Sequence, residues 1–205
     1  MDIKQVKKIS CCLLIFFIST YSTCKKNGSC TESRYSFEIG VKATPNSDSL
    51  LINDTIWLVL DEPVNLLDKT TNTVVDYSNS ANLGSAIGFQ KAIFAPTLNF
   101  IPAVEKFVFR NIEGIETNNS NPSLLKEYLF TENNGRYKFK LGVVAKDTGI
   151  FRFVFSNAAN VYRKNNSCTK AFFEINFKET NQHRYLIPGF GGSTVKGGDY
   201  YFKVK

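Results

Sequence analysis

A single histidine, a single tryptophan and a single methionine stand among the 205 residues. One imidazole excludes any site built on two histidines and any mechanism that passes a proton between two of them. One Trp and one Met leave nothing from which to build a Trp-lined groove or a Met-rich adaptable surface. The five cysteines contain no C-x-x-C pair, so a zinc site of Cys and His ligands has no donor set. No D-x-D-x-D-G calcium loop occurs either. Long hydrophobic runs are missing: the most apolar stretch, Ile9 to Ile18, is about half of the ~20 residues a membrane-spanning helix needs. Acidic residues are in deficit, 18 against 25 basic, for a net charge of +7. The cations are nevertheless scattered, with no run longer than a pair. A nucleic-acid surface would be a cluster or stripe, so no nucleic-acid partner is expected. A hydrophobic content of 43% and a charged content of 21% are those of a globular protein.

What is present begins with an address. Lys4, Lys7 and Lys8 precede the apolar run, and Ser19, Thr20, Ser22 and Thr23 follow it. This is the order of a secretory signal: a basic segment, an apolar segment, then small polar residues. Cys24 closes the small-residue stretch, and here the segment resembles a bacterial lipoprotein signal, with Tyr21-Ser22-Thr23 where the usual pattern is aliphatic, small, small. The resemblance implies removal of residues 1–23, acylation of Cys24, a membrane partner reached through that lipid, and an outer-membrane location. Ordinary signal-peptidase cleavage would instead release a soluble periplasmic or secreted chain. Cysteine arithmetic fits the lipid reading. Cys11 and Cys12 leave with the signal and Cys24 takes lipid, so Cys30 and Cys168 remain as one disulfide in an oxidising compartment. Closing so long a loop is worth roughly 4–5 kcal/mol, less any strain.

Residues 24–34 are polar and read as a tether. From Tyr35 onward the pattern turns to period two, the mark of half-buried strands. Tyr35, Phe37, Ile39 and Val41 alternate with polar or small neighbours. So do Tyr137, Phe139, Leu141 and Val143, then Phe151, Phe153 and Phe155, then Ala171, Phe173, Ile175 and Phe177, and finally Tyr200, Phe202 and Val204. Thr55–Leu60, Thr73–Tyr77, Ala86–Phe94 and Lys106–Ile112 are further strands, with Ile87, Phe89 and Ile93 sharing a face. Pro45–Asp48, Asn53-Asp54 and Asn133-Asn134-Gly135 punctuate them as turns. The segment Pro122–Leu129 reads as one helical turn. Nine or ten strands over residues 35–205 predict one all-β domain: an antiparallel β-sandwich, immunoglobulin-like with insertions near 63–105 and 157–199. A lipocalin-like barrel is the alternative, although its N-terminal Gly-x-Trp is absent. Asp147–Phe153 resembles an immunoglobulin F strand, with Phe151 in place of the corner tyrosine and Phe153 in place of the cysteine.

Cys24, a second Cys six residues on, the F-x-I-x-V strand ending near Pro45, Asn53-Asp54-Thr55-Ile56-Trp57 and the closing Gly198–Phe202 together resemble uncharacterised lipoproteins of Bacteroidota. The resemblance implies an envelope location and no particular activity. Asn53 stands where those proteins usually carry Gly.

Catalytic signals are weak. His183 lies in a polar segment and reads as a surface residue. Asp61-Glu62 would point to opposite faces of a strand, and Glu113 and Glu116 are paired only by proximity in the chain. No catalytic residue, metal or cofactor is assigned. A non-enzymatic binding or structural module is expected, with a glycan or an envelope protein as ligand; a carbohydrate-binding module and a small hydrolase are the competing readings. Binding would fall on the loops around 157–166 and the Gly-rich 188–198, through Tyr162, Arg163, Tyr185 and Phe190, because Tyr and Arg dominate binding hot spots.

Overall fold

Alternation puts one apolar face on each strand, and the burial follows it residue by residue. In the computed structural model, which describes residues 34–94, 96–178, 182–189 and 198–205, Phe37, Ile39 and Val41 are fully buried, as are Phe139, Leu141, Phe151, Phe153, Phe173 and Phe202. The leader, Cys24, Cys30 and Phe190 lie outside the described residues. Among the described residues seventeen strands form: β1 (Arg34–Thr44), β2 (Ser49–Leu50), β3 (Thr55–Pro63), β4 (Asn65–Asp68), β5 (Thr73–Asp76), β6 (Ser80–Ala81), β7 (Gly84–Ile93), β8 (Asn99–Pro102), β9 (Phe107–Glu113), β10 (Ile115–Thr117), β11 (Leu125–Leu129), β12 (Thr131–Asn133), β13 (Arg136–Ala145), β14 (Gly149–Phe155), β15 (Ala158–Arg163), β16 (Asn166–Phe177) and β17 (Tyr200–Val204). Two short 3-10 turns, Val104–Lys106 and Arg184–Leu186, are the only helical elements among the described residues.

The strands make an all-β sandwich. One sheet runs β12-β13-β3-β1-β16-β15-β6 with β9 also on β13, and the other runs β10-β11-β7-β14-β17-β2 with β8 also on β7. The β4–β5 hairpin stands as a small third sheet. Among the described residues both orders are open paths, as in a sandwich, with no closed barrel. Aromatic rings join the layers: Phe107 meets Phe151 at 5.0 Å, Phe155 meets Phe177 at 5.3 Å, and Phe177 meets Tyr200 at 5.5 Å. Such pairs contribute about 0.5–1.5 kcal/mol each beyond the area they bury. Buried tyrosines keep their hydroxyls bonded; the Tyr200 hydroxyl donates to the Ser47 carbonyl at 2.7 Å. Burial pushes the Tyr77 and Tyr200 hydroxyls up to about 12.

Four expectations need correction. The sheets are mixed rather than antiparallel: β1 runs parallel to β16 from Arg34↔Lys170 to Val41↔Phe177, and β17 runs parallel to β2. Alternation determines which face is buried and says nothing about the direction of a neighbour. Pro122–Leu129 is no helical turn throughout. The chain bends at Asn121, whose carbonyl accepts the Leu124 amide, and Leu125–Leu129 then pairs with β7 and β10. Cross-strand bonding on both sides outweighs the local helical preference of Leu-Lys-Glu. Ile93 is exposed, beyond the part of β7 that β14 covers. The 157–166 loop is largely β15, paired to β16 and β6. The Asn134-Gly135 turn forms as read, with φ of 51° and 68°. Positive φ at both central residues makes the primed two-residue turn whose twist matches its strands.

β1 has a further peculiarity. Only Lys42–Thr44 pair with β3, so the amides facing away from β16 along the rest of β1 need other partners. The Asp68 carboxylate accepts the Ser36 amide at 2.8 Å, the Glu62 carboxylate accepts the Gly40 amide at 3.1 Å, and the Lys69 amide donates to the Ser36 carbonyl at 2.7 Å. Asp68, buried at the end of β4, also accepts the Thr71 hydroxyl and the Thr70 and Thr71 amides. Burial alone would raise its pKa; the bonds from Ser36, Thr71 and Thr70 outweigh that and hold it below the usual carboxylate range. A lowered folded-state pKa stabilises above the unfolded value near ~3.9 and loses that contribution as pH falls through the folded value. Asp68→Ala is expected to lower stability in urea by about 2 kcal/mol at pH 7. The gap between wild type and Asp68→Asn should shrink as pH is taken below about 4; a gap that does not change with pH would assign no such role to the carboxylate.

Candidate functional site

Of the binding residues expected from sequence, the structure brings together only two. Tyr162 and Arg163 end β15 at the margin of the larger sheet, opposite Ala81 and Ser80 of β6. Both are half-buried. The Arg163 guanidinium lies 5.2 Å from the centre of the Tyr77 ring, and its Nε is buried without a hydrogen-bond partner. Tyr185 belongs to the other sheet: it sits in the Arg184–Leu186 turn, 63% exposed, its hydroxyl donating to Asp48. Phe190 is not among the described residues, nor is most of the Gly-rich stretch. Tyr162 and Arg163 do not share a site with Tyr185 among the described residues.

His183 is buried, not a surface residue. It sits at φ 51°, with its ring 5.5 Å from that of Tyr200. Its Nδ1 lies 3.1 Å from the Tyr201 carbonyl. A carbonyl only accepts, so Nδ1 carries the proton. The residues around it cover the outer face of the smaller sheet: Ile187 and Leu186 pack with Tyr201, Ala92, Leu98, Phe100 and Ile150. Arg152 lies 3.8 Å over the Phe100 ring and donates to Gln90 and Asp199. His183 is thus a structural pin for this covering segment.

The carboxylate pairs proposed from sequence neighbours separate. Asp61 accepts from Arg136, while Glu62 turns to the Gly40 amide. Glu116 takes Lys126 at 2.7 Å. A pair that sequence reading missed does form: Glu38 and Glu174 are in register across β1 and β16. Lys69 lies between them, 2.6 Å from Glu174 and 3.5 Å from Glu38. The Lys69 hydrogen bond lowers the Glu174 pKa, and Glu174 in turn raises that of Lys69. An acid–base couple needs its two carboxylates pushed apart, one of them upward. Here the shared ammonium holds Glu174 ionised. Register between distant parallel strands is what joins the pair, and no local pattern reports it.

The other assembly that sequence reading missed lies on the outward face of β3 and β13. One row crosses four strands: Arg110 of β9 is in register with Gly142, Gly142 with Trp57, and Trp57 with Thr44. The indole lies against Gly142, where a Cβ would stand 2.8 Å from its Cζ3. Lys140 holds its Nζ 5.2 Å from the centre of the ring, within cation–π range. Arg110 is exposed. The signal was available: Gly142 follows Arg136, Lys138 and Lys140 on one face of its strand, and Trp57 alternates with buried Ile56 and Leu58. Among the described residues no group of three His, Cys, Asp or Glu is placed to hold a metal.

No protein-family model, curated protein or solved structure matches the chain.

Replacing Lys69 tests whether it holds the Glu38–Glu174 pair in place. In Lys69→Met two carboxylates face each other with no cation, and the Glu174 titration followed by carbon NMR should move up. Stability should change by less than about 1 kcal/mol, since Lys69 is 45% and Glu174 37% exposed. A Glu174 titration that stays where it is would remove Lys69 from the account.

Proposed function

We propose that this chain is an exported, lipid-anchored envelope protein whose β-sandwich is a non-enzymatic binding module. The observation that carries the binding reading is the Arg110–Gly142–Trp57–Thr44 row with Lys140: an aromatic and cationic surface held outward by the middle strands of a sheet. Rigid strands that present an aromatic ring and cations lose little side-chain freedom when a ligand arrives. The ionisable groups that a hydrolase would use are otherwise engaged, Glu38 and Glu174 by Lys69 and His183 by the Tyr201 carbonyl. The anchor reading is supported by the basic, apolar and small-residue order of residues 1–23, by Cys24, and by the likeness to Bacteroidota lipoproteins.

A Cys30–Cys168 bridge belongs to the same proposal. Cys168 is not a free thiol. It stands two residues ahead of Lys170, the partner of Arg34 at the start of β1, and Cys30 precedes Arg34 by four.

The test uses the full chain expressed in a Gram-negative host. Wild type should partition with membranes and yield an acylated N-terminal peptide beginning at Cys24. A non-reduced digest should contain Cys30 and Cys168 in one linked peptide. Cys24→Ala should be released as soluble protein and should sediment with washed envelopes. A soluble wild-type chain would end the anchor reading. Failure of Cys24→Ala to sediment with envelopes, or hydrolytic turnover abolished by His183→Ala, would end the binding reading.

A further inference from the structure

The outward row on β3, β13 and β9 has chemistry enough to name a ligand class. Resting on the binding reading above, we propose that it recognises an acidic polysaccharide, a chain of sugar rings bearing carboxylates. Three features combine. First, the Trp57 indole is laid against the sheet because Gly142 has no side chain: a Cβ there would come within 2.8 Å of Cζ3 and 3.1 Å of Cη2. A ring seated in this way offers a plane to the apolar C–H face of a sugar. Second, Lys140 Nζ lies 5.2 Å from the ring centre. The ammonium stands over the ring where a sugar would stack, so it meets the sugar's carboxylate from the rim of the half-buried indole. Its long, flexible stem can move aside as the sugar arrives. Third, Arg110 is exposed one strand beyond Gly142. Adjacent strands are about 4.8 Å apart, so its guanidinium can reach a second carboxylate along the same chain. Guanidinium and carboxylate match as a two-point fork.

The charge around the row agrees. Lys138 is in register with Asp61, and Asp61 is already taken by Arg136. Glu113 is in register with Lys140 across a bulge and stands at the margin as the opposing carboxylate. A neutral sugar would use the indole alone and leave Lys140 and Arg110 without a partner. A ligand of negative charge uses all three. A single-stranded nucleic acid also combines rings and charge, but its charge lies on the backbone, whereas this site holds the cation over the ring.

Affinity electrophoresis of the Cys24→Ala chain in native gels distinguishes the outcomes. Polygalacturonate cast in the gel should retard the protein, and fully methyl-esterified polygalacturonate should retard it at least tenfold less. Trp57→Ala, Lys140→Met and Arg110→Ala should each weaken retardation about tenfold. Trp57→Phe keeps a ring and should retain much of the effect, guarding against a simple folding defect. Lys203→Met, an equal change of charge on the other sheet, should have none. Equal loss in Lys140→Met and Lys203→Met, or an unchanged Trp57→Ala, would reduce the interaction to general charge and overturn the proposal. Stronger retardation by single-stranded DNA than by polygalacturonate would overturn it too. If Trp57→Ala, made in the Cys24→Ala chain, still sediments with envelopes as Cys24→Ala alone does, the ligand class and face are wrong while the binding reading stands.

Discussion

The parallel pairing of β1 with β16 is the constraint on which the rest of the molecule depends. It brings residues from the two ends of the described chain into one ladder, and it stands β1 between β16 and the β3–β13–β9 group. Without it the larger sheet would fall into two pieces. Parallel pairs form only over long connections, so this contact closes late in sequence terms and carries a large loop-closure entropy. Burial offsets that term: Phe37, Ile39, Phe173 and Ile175 are all essentially inaccessible to water. The edge of Arg34–Val41 that faces away from β16 has no strand partner in β3, and Asp68 and Glu62 fill that gap with carboxylate oxygens. An ionised carboxylate there is a strong acceptor for a backbone amide, and it binds the β4–β5 hairpin to the sheet.

Above this frame the two layers are joined by rings rather than by ion pairs. Phe89, Phe107, Phe153 and Phe202 make an interleaved group with centres between 4.8 and 6.4 Å. The ion pairs lie on the outside, where solvent weakens them. This division leaves the outward faces free to differ. The smaller sheet is covered by the segment that His183 pins, while on the larger sheet Arg110 is exposed and Trp57 and Lys140 are half-buried. An open face and a covered face among the described residues thus follow from which sheet the 182–189 segment crosses.

Much of this architecture was legible in the sequence because a β-strand writes its burial as alternation. Tyr137 to Val143, Phe151 to Phe155 and Ala171 to Phe177 all turn their apolar sides inward as the pattern requires. The Asn134-Gly135 turn was equally plain, since only a few residues accept two successive positive φ values. What the sequence did not show was adjacency. Nothing local in Tyr35–Val41 says that its neighbour is a parallel strand from the far end of the chain, and so the Glu38–Glu174 pair was invisible. The candidate site suffered likewise. Residue type alone points to Tyr162, Arg163 and Tyr185 in loops, whereas β15 is a paired strand and Tyr185 stands in the Arg184–Leu186 turn. The Arg110, Trp57 and Lys140 row needs the register of three strands before its members can be recognised together. His183 was misjudged because its polar neighbours in the chain are not its neighbours in space: Tyr200 and Tyr201 are.

Native-state hydrogen exchange tests the central place of β1 most directly. The amides of Phe37, Ile39 and Val41 face β16, while those of Ser36 and Gly40 face the side chains of Asp68 and Glu62. If β1 holds the two halves of the sheet together, Phe37, Ile39 and Val41 exchange only through global unfolding, with the same free energy as the Phe151–Phe155 and Phe173–Phe177 amides. Exchange of β1 through a separate, lower-energy opening, with β3 and β13 still protected, would contradict the account.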